Sequence, residues 1–287
     1  VTPLLAWVCV ANTVHDACHF AISTSWKVNA IISYTSPWTS SPTSWYLQHV
    51  IGHHAYPNVP HKDPDLAHAP AFLRVHESIR WKPMHKFQLI ATAIIWTLGT
   101  TLYMTVVPLK ALAAGVLNRA VYLPNESVQL KTRHVLGRIA TALLLWAWPW
   151  FVFETYKAVI WCAVPMFIHS LCFMLATQIN HLTPQNAKAR DDDYFVHQVV
   201  TSHSFAASYP SYLFLGGLNY QVEHHLFPTV NHCHLAAIQP IVKRLCEKHG
   251  IDYHESSGLP EALQKYVLHI NNMSENPKKL DSKAHAE

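Results

Sequence analysis

Residues 87–107 read FQLIATAIIWTLGTTLYMTVV, 21 residues without one charged side chain. An apolar helix of about 20 residues spans the hydrocarbon core of a bilayer, so this stretch predicts a transmembrane helix. Residues 158–177, AVIWCAVPMFIHSLCFMLAT, predict a second span with His169 as its one ionisable group. Residues 139–153, IATALLLWAWPWFVF, are equally apolar but too short. At about 1.5 Å per residue they reach roughly 22 Å of a core near 30 Å. Their three tryptophans suit a re-entrant or interfacial helix. Residues 2–12 read as the last half of a further span, which suggests that the chain begins partway through a longer protein.

Between these blocks the chain is polar. Residues 56–86 form a loop rich in Pro, His and Lys, ending in an interfacial helix expected at 71–86. Residues 118–138 form a polar connection and 184–204 a charged loop. Residues 234–248 have the pattern of an amphipathic helix stopped near Gly250. Residues 1–250 are read as one domain and 251–287 as a polar C-terminal tail.

The 287 residues include 22 histidines, 21 Lys and Arg, and 17 Asp and Glu, while 50% are hydrophobic. Such a chain is not disordered. Its net charge of +4 is too small and scattered to argue for nucleic acid. Six cysteines without a C-x-x-C pair support neither a zinc ribbon nor a disulfide framework.

The histidines fall in spaced groups. His15-Asp16-Ala17-Cys18-His19 and His49-Val50-Ile51-Gly52-His53-His54 each hold an i,i+4 pair. In Gln221-Val222-Glu223-His224-His225 the glutamine stands three and four residues before two histidines. Helical residues at these spacings share a face, close enough for two side chains to hold one metal. One such pair is commonly a surface coincidence; three groups in one chain point to a common metal centre. Seven histidines and a glutamine exceed the four ligands of a tetrahedral zinc, so two ions are the economical reading. Nitrogen-rich coordination suits redox-active iron, with zinc, copper and nickel as alternatives. No E-x-x-H occurs, which excludes the carboxylate-bridged bundle design. H-E-x-x-H, G-x-S-x-G and G-x-G-x-x-G are absent too.

The three boxes, in this order and separated by apolar spans, resemble those of the membrane fatty acid desaturases. The glutamine opening the third box resembles the front-end branch, which inserts a double bond between an existing one and the carboxyl end. His53-His54-Ala55-Tyr56-Pro57-Asn58 with Asp63-Pro64-Asp65-Leu66, and Gly216 to Pro228, are similar to the family's text around its second and third boxes. Cys18 stands where the family usually has glycine, and no H-P-G-G haem motif of a fused cytochrome b5 is present.

The resemblance implies an all-α, polytopic membrane protein whose transmembrane helices carry a cytosolic helical cap with a histidine-rich di-iron site. It implies His15, His19, His49, His53, His54, His224, His225 and Gln221 as ligands, with His181 of Gln178-Ile179-Asn180-His181 as a further one. It also implies two iron ions, dioxygen as co-substrate, a fatty acyl lipid substrate, electrons from cytochrome b5 (the only source of haem) and its reductase, and the endoplasmic reticulum with the site facing the cytosol. A lipid hydroxylase or conjugase, or a sphingolipid desaturase, would share the scaffold; a polytopic metal transporter is a more remote alternative.

For the second and third boxes to meet, an even number of crossings must separate them, as two spans with 139–153 left uncrossed provide. Residues 55–86 and 108–138 carry equal numbers of Lys and Arg, so charge bias does not orient the chain. Asp16, Asn180, Asp63 and Asp65 are expected near the ligands or as turn and cap residues. His61, His68, His76, His85, His197, His203, His232 and His234 are expected at the membrane interface or the surface.

Overall fold

The computed structural model describes residues 2–34, 42–67, 69–118, 120–123, 136, 139–140 and 142–277. Its described part is mostly helical. Gln88–Ala114 covers the first expected span with 27 residues, and Thr155–Gln178 covers the second with 24. The two pack along each other, and Thr2–Cys9 lies against Thr155–Gln178. Among the described residues, only Thr155–Gln178 is both long and apolar enough to cross a membrane, and just 28% of its apolar window is buried. Val159, Ile160, Trp161, Val164, Phe167 and Leu171 point outward. A helix that exposes this much apolar surface has the outer face of a membrane helix, not of a soluble core.

The all-α expectation needs a small amendment: Val116–Leu117 pairs antiparallel with Val121–Tyr122, and Ser204–Phe205 pairs in parallel with Glu255–Ser256. Residues 139–153 do not form one straight helix. Ala142–Ala147 is π-helical and Pro149–Val152 is a single α turn, because Pro149 has no N–H to continue the ladder. Most of residues 118–138, and His68, lie outside the described residues. The interfacial helix expected at 71–86 is absent from the described residues; that stretch is turns ending in the 3₁₀ segment Pro83–Phe87, with Pro83 breaking the backbone ladder.

The polar tail expected from residue 251 begins much later. Leu259–Ser274 is an amphipathic helix, and Ala262, Tyr266 and Ile270 enter the main core beside Trp96, Leu73 and Val75. Gln88 and Arg74 donate to the carbonyls of Ile270 and Met273, and Trp81 Nε1 donates to that of Ser274. Burying one face of the helix overrides its polar composition.

Two glycines set the spacing of the functional end. A Cβ on Gly216, whose φ is 59°, would lie 2.3 Å from the Ala11 carbonyl oxygen, so the loop before the third box can touch the helix before the first. A Cβ on Gly52 would lie 2.7 Å from Pro64, which lets the second box sit against the loop of Asp63 and Asp65.

Candidate metal centre

His15–Cys18 is a single α turn that follows the π-helical segment Val10–Val14. His49 and His53 lie in the π-helical segment Tyr46–His53, whose winding continues with the His54 N–H on the His49 carbonyl. That i→i+5 bond brings His54, not His53, back onto His49. Their Nε2 atoms are 3.3 Å apart. His181 follows the C-terminus of Thr155–Gln178, and Gln221–Leu226 carries the third box.

All eight expected histidines are buried and come together. The side-chain nitrogens of His15, His19, His49 and His224 lie within 4.8 Å of one another, as do those of His53, His181 and His225. Each group could hold a metal ion. His54 sits between them, with ring centroids 4.6 Å from His19, 4.7 Å from His224 and 4.2 Å from His225. The second and third boxes therefore each feed both groups. The i,i+4 pair His49 and His53 does not share one group, because the π turn fans the two rings apart along the segment.

Hydrogen bonds fix the rings of the second group. His181 Nδ1 faces the Thr201 carbonyl at 3.1 Å, which can only accept, so Nδ1 carries the proton and Nε2 the lone pair. His225 Nδ1 donates to Gln198 Oε1 at 2.9 Å, and Gln198 is itself oriented by donating to the His54 carbonyl. His225 Nε2 is left buried without a partner. His53 Nδ1 donates to Asp63, 3.2 and 3.1 Å from its two oxygens, and Asp65 lies 3.6 Å away. His53 Nε2 meets His181 Nε2 at 3.3 Å.

In the first group, both nitrogens of His19, Nδ1 of His15 and Nε2 of His224 are buried without a hydrogen-bond partner. Buried polar atoms are normally paired, and a convergent set of orphan imidazole nitrogens fits a cation. The donor set thus suits a metal of the imidazole-binding class.

Electrostatics separates the groups. Burial, reinforced by neighbouring imidazoles, holds His19, His49, His54, His181, His224 and His225 well below the ordinary histidine range. They are neutral, as metal ligands must be. His53 is different: burial pulls it down, but the charges of Asp63 and Asp65 outweigh this and raise it to about 9. Without a metal, a proton on His53 supplies the positive charge of the second group.

The expected supporting residues have distinct places. Asp63 holds His53 and accepts from the backbone N–H groups of Asn58 and Asp65. Asp16 accepts from Nδ1 and the backbone of His232 at 2.8 and 3.1 Å and lies 3.6 Å from His15. Burial opposes its ionisation, yet the nearby His15 ring and the bonds from His232 keep it well below the usual carboxylate range. Asn180 donates to Gln221 Oε1 at 3.1 Å.

Gln198 and Thr201 carry no sequence signal, and Asn58 closes the family-like stretch that begins at His53. Asn58 Nδ2 reaches the carbonyls of His181 and Asn186 at 3.0 and 3.2 Å, tying the second box to the end of the long helix. His76, His85, His197 and His203, expected at the membrane interface or the surface, are buried, three of them with partners distant in sequence. His85 Nε2 bonds the Pro70 carbonyl, His197 Nε2 that of Pro57, and His203 Nε2 the Ser256 hydroxyl. His61 and His234 are exposed, as expected.

A small apolar cavity, about 30 Å³ in volume, ends on His15, the least buried of the eight histidines. Trp7, Val10, Val14, Trp45, Phe173 and Leu218 line it. Trp45, Phe173, Thr177 and Leu218 also wall a second small cavity, about 20 Å³ in volume, lined by His49, His53, His181 and Gln221. The small apolar pocket and the nest of imidazoles thus share one wall.

An outward-facing apolar helix and a buried nest of imidazoles beside an apolar pocket define a helical, membrane-associated scaffold able to hold metal. The chain belongs to the fatty acid desaturase family, whose sequence model matches residues 1–257. It is 28% identical over 282 residues to an acyl-lipid omega-13 desaturase of Chlamydomonas reinhardtii, covering 93% of this chain and 59% of that protein. It is 26% identical to Delta(5) fatty acid desaturase A of Dictyostelium discoideum over 93% of this chain and 60% of that one. An acyl-lipid (7-3)-desaturase of Diacronema lutheri is 28% identical over 96% and 62% of the two chains. The chain therefore spans about three fifths of the length of these relatives.

Proposed function

We propose that the protein is a front-end fatty acid desaturase that uses dioxygen to insert a cis double bond between an existing one and the carboxyl end of an acyl chain. The observation that carries this reading is the wall shared by the apolar cavity and the histidine nest. The names of the relatives and the Gln221-x-x-His224-His225 text support the regiochemical class.

His15, His19, His49, His54 and His224 would hold one iron, and His53, His181 and His225 the other. Gln221 stands beside the second group, with its amide held between Asn180 and His181. Removing hydrogen from an unactivated methylene pair needs an oxidant stronger than any side chain, and a bound iron pair with dioxygen supplies that chemistry.

The chain's own residues do the rest. Trp7, Val10 and Val14 exclude water from the acyl chain. Trp45 and Phe173, with ring centroids 5.2 Å apart, form a gate that limits which carbons reach the imidazoles. Asp63, Gln198 and the Thr201 carbonyl hold the rings of the second group with their Nε2 lone pairs turned inward. Cytochrome b5 and its reductase would supply two electrons, with the site on the cytosolic face of the endoplasmic reticulum.

Expression in a cell lacking polyunsaturated fatty acids, with a panel of mono- and polyunsaturated acids fed, tests the reading. A new double bond on the carboxyl side of an existing one is expected. Unchanged lipids across the panel, from iron-loaded protein, would reject it; a hydroxylated or conjugated product would move it to the sister activities.

A further inference from the structure

We propose that Gln221 is not a metal ligand but a hydrogen-bond donor, its N–H aimed into the ligand space of the second group and fixed there by Asn180. The inference rests on the metal-centre reading above.

An amide can turn either its oxygen or its nitrogen to a site, and its neighbours decide which. Asn180 Nδ2 donates to the backbone carbonyls of Ala176 and Leu218 at 2.9 and 2.8 Å. Reversing Asn180 would set its oxygen against both carbonyls, so its orientation is determined by the backbone. One of these two N–H groups is shared with Gln221 Oε1 at 3.1 Å, so that oxygen accepts. Reversing Gln221 would place two N–H donors face to face.

Gln221 Nε2 consequently faces the other way, 2.9 Å from His181 Nε2. That nitrogen carries a lone pair, because His181 Nδ1 is committed to the Thr201 carbonyl. A metal held by the second group would claim this lone pair. The Gln221 N–H would then lose its acceptor, while Asn180 keeps the amide oxygen turned away. Gln221 and Asn180 are both almost fully buried, so water cannot freely replace the lost partner. A small anion or polar ligand on the metal, in the position that three histidines leave free, is the acceptor this geometry provides for. The glutamine thus leaves the second ion one protein ligand short and puts a donor beside the gap.

Purified protein loaded anaerobically with ferrous ion tests this, with metal stoichiometry, chelator competition and azide binding as readouts. Wild type should take up two ions and bind azide. Gln221→Leu should keep both ions, each within about threefold of wild-type affinity, and should bind azide roughly tenfold more weakly. Loss of the second ion in Gln221→Leu, with the first retained, would overturn the proposal. His53→Ala is the control that must lose that ion.

Infrared spectra of wild type carrying ¹³C at the glutamine side-chain carbonyl give an answer that needs no variant. The difference between loaded and metal-free protein should show no carbonyl band shifted down by coordination, and such a band would refute the donor role. Wild type that binds no pair of ions would instead reject the metal-centre reading itself.

Discussion

The two halves of the imidazole nest are built differently. In the second group, His53, His181 and His225 each spend Nδ1 on a protein acceptor: Asp63, the Thr201 carbonyl and Gln198. In the first group, His19 has no partner on either nitrogen, and His15 meets only Asp16 at 3.6 Å and the neighbouring rings. The second group is oriented by hydrogen bonds, and the first by ring packing beside the apolar pocket. Supporting bonds fix a ligand before the metal arrives, whereas packed rings leave more of the ordering to the metal. The half nearest the apolar pocket is thus the less constrained one.

The largest test removes one ligand from each half. His224→Ala should lose the first ion and His53→Ala the second, reducing metal content from two ions to one and abolishing unsaturated product. Loss of both ions from either variant would show that the halves are not independent.

Asp63→Asn should act on one half alone. The second ion should bind about 10- to 100-fold more weakly by chelator competition, as expected when a supporting carboxylate is removed, while the first stays in place. An equal effect on both ions would erase the distinction drawn above.

Acid should separate the halves more gently. His53 is raised to about 9, so it must give up a proton for the second ion to bind, and that affinity should fall about tenfold per unit as pH drops below 9. His19, His49, His54 and His224 are held well below the ordinary range and stay neutral, so the first ion should be retained down to pH 6.5. The sign for the metal-free fold is opposite. A raised folded pKa adds stability that is fully present below the unfolded value of 6.5 and is lost as pH rises through 9. Metal titrations and melting curves across this range report both trends.

Asp16→Asn should have the smallest effect. It weakens the tie between the first box and His232, costing about 1 kcal/mol of stability and leaving metal content unchanged.

Local spacing points to the histidines that cluster but not to their division into two groups. The boxes stood out because His15 and His19, or His224 and His225, are neighbours in sequence as well as in space. The assignment of His49 and His53 to different groups follows from π winding, which no spacing rule anticipates. The residues that hold the rings were hidden for the same reason as the buried histidines: their partners come from far along the chain. His269 Nε2 bonds the Val75 carbonyl across 194 residues, and His197 bonds that of Pro57 across 140. The helix at 259–274 reads as tail because its polar face dominates its composition, while its apolar face matters only once Trp96 is beside it.

That same helix sets an order of events during synthesis. Arg74, Trp81 and Gln88 sit in the stretch that links the second box to the first long helix, and all three give hydrogen bonds to carbonyls between residues 270 and 274. A ribosome has made every ligand once it passes His225, yet the clasp for this stretch leaves the exit tunnel later. A nascent chain released before residue 274 would carry a full complement of imidazoles on an unfastened frame.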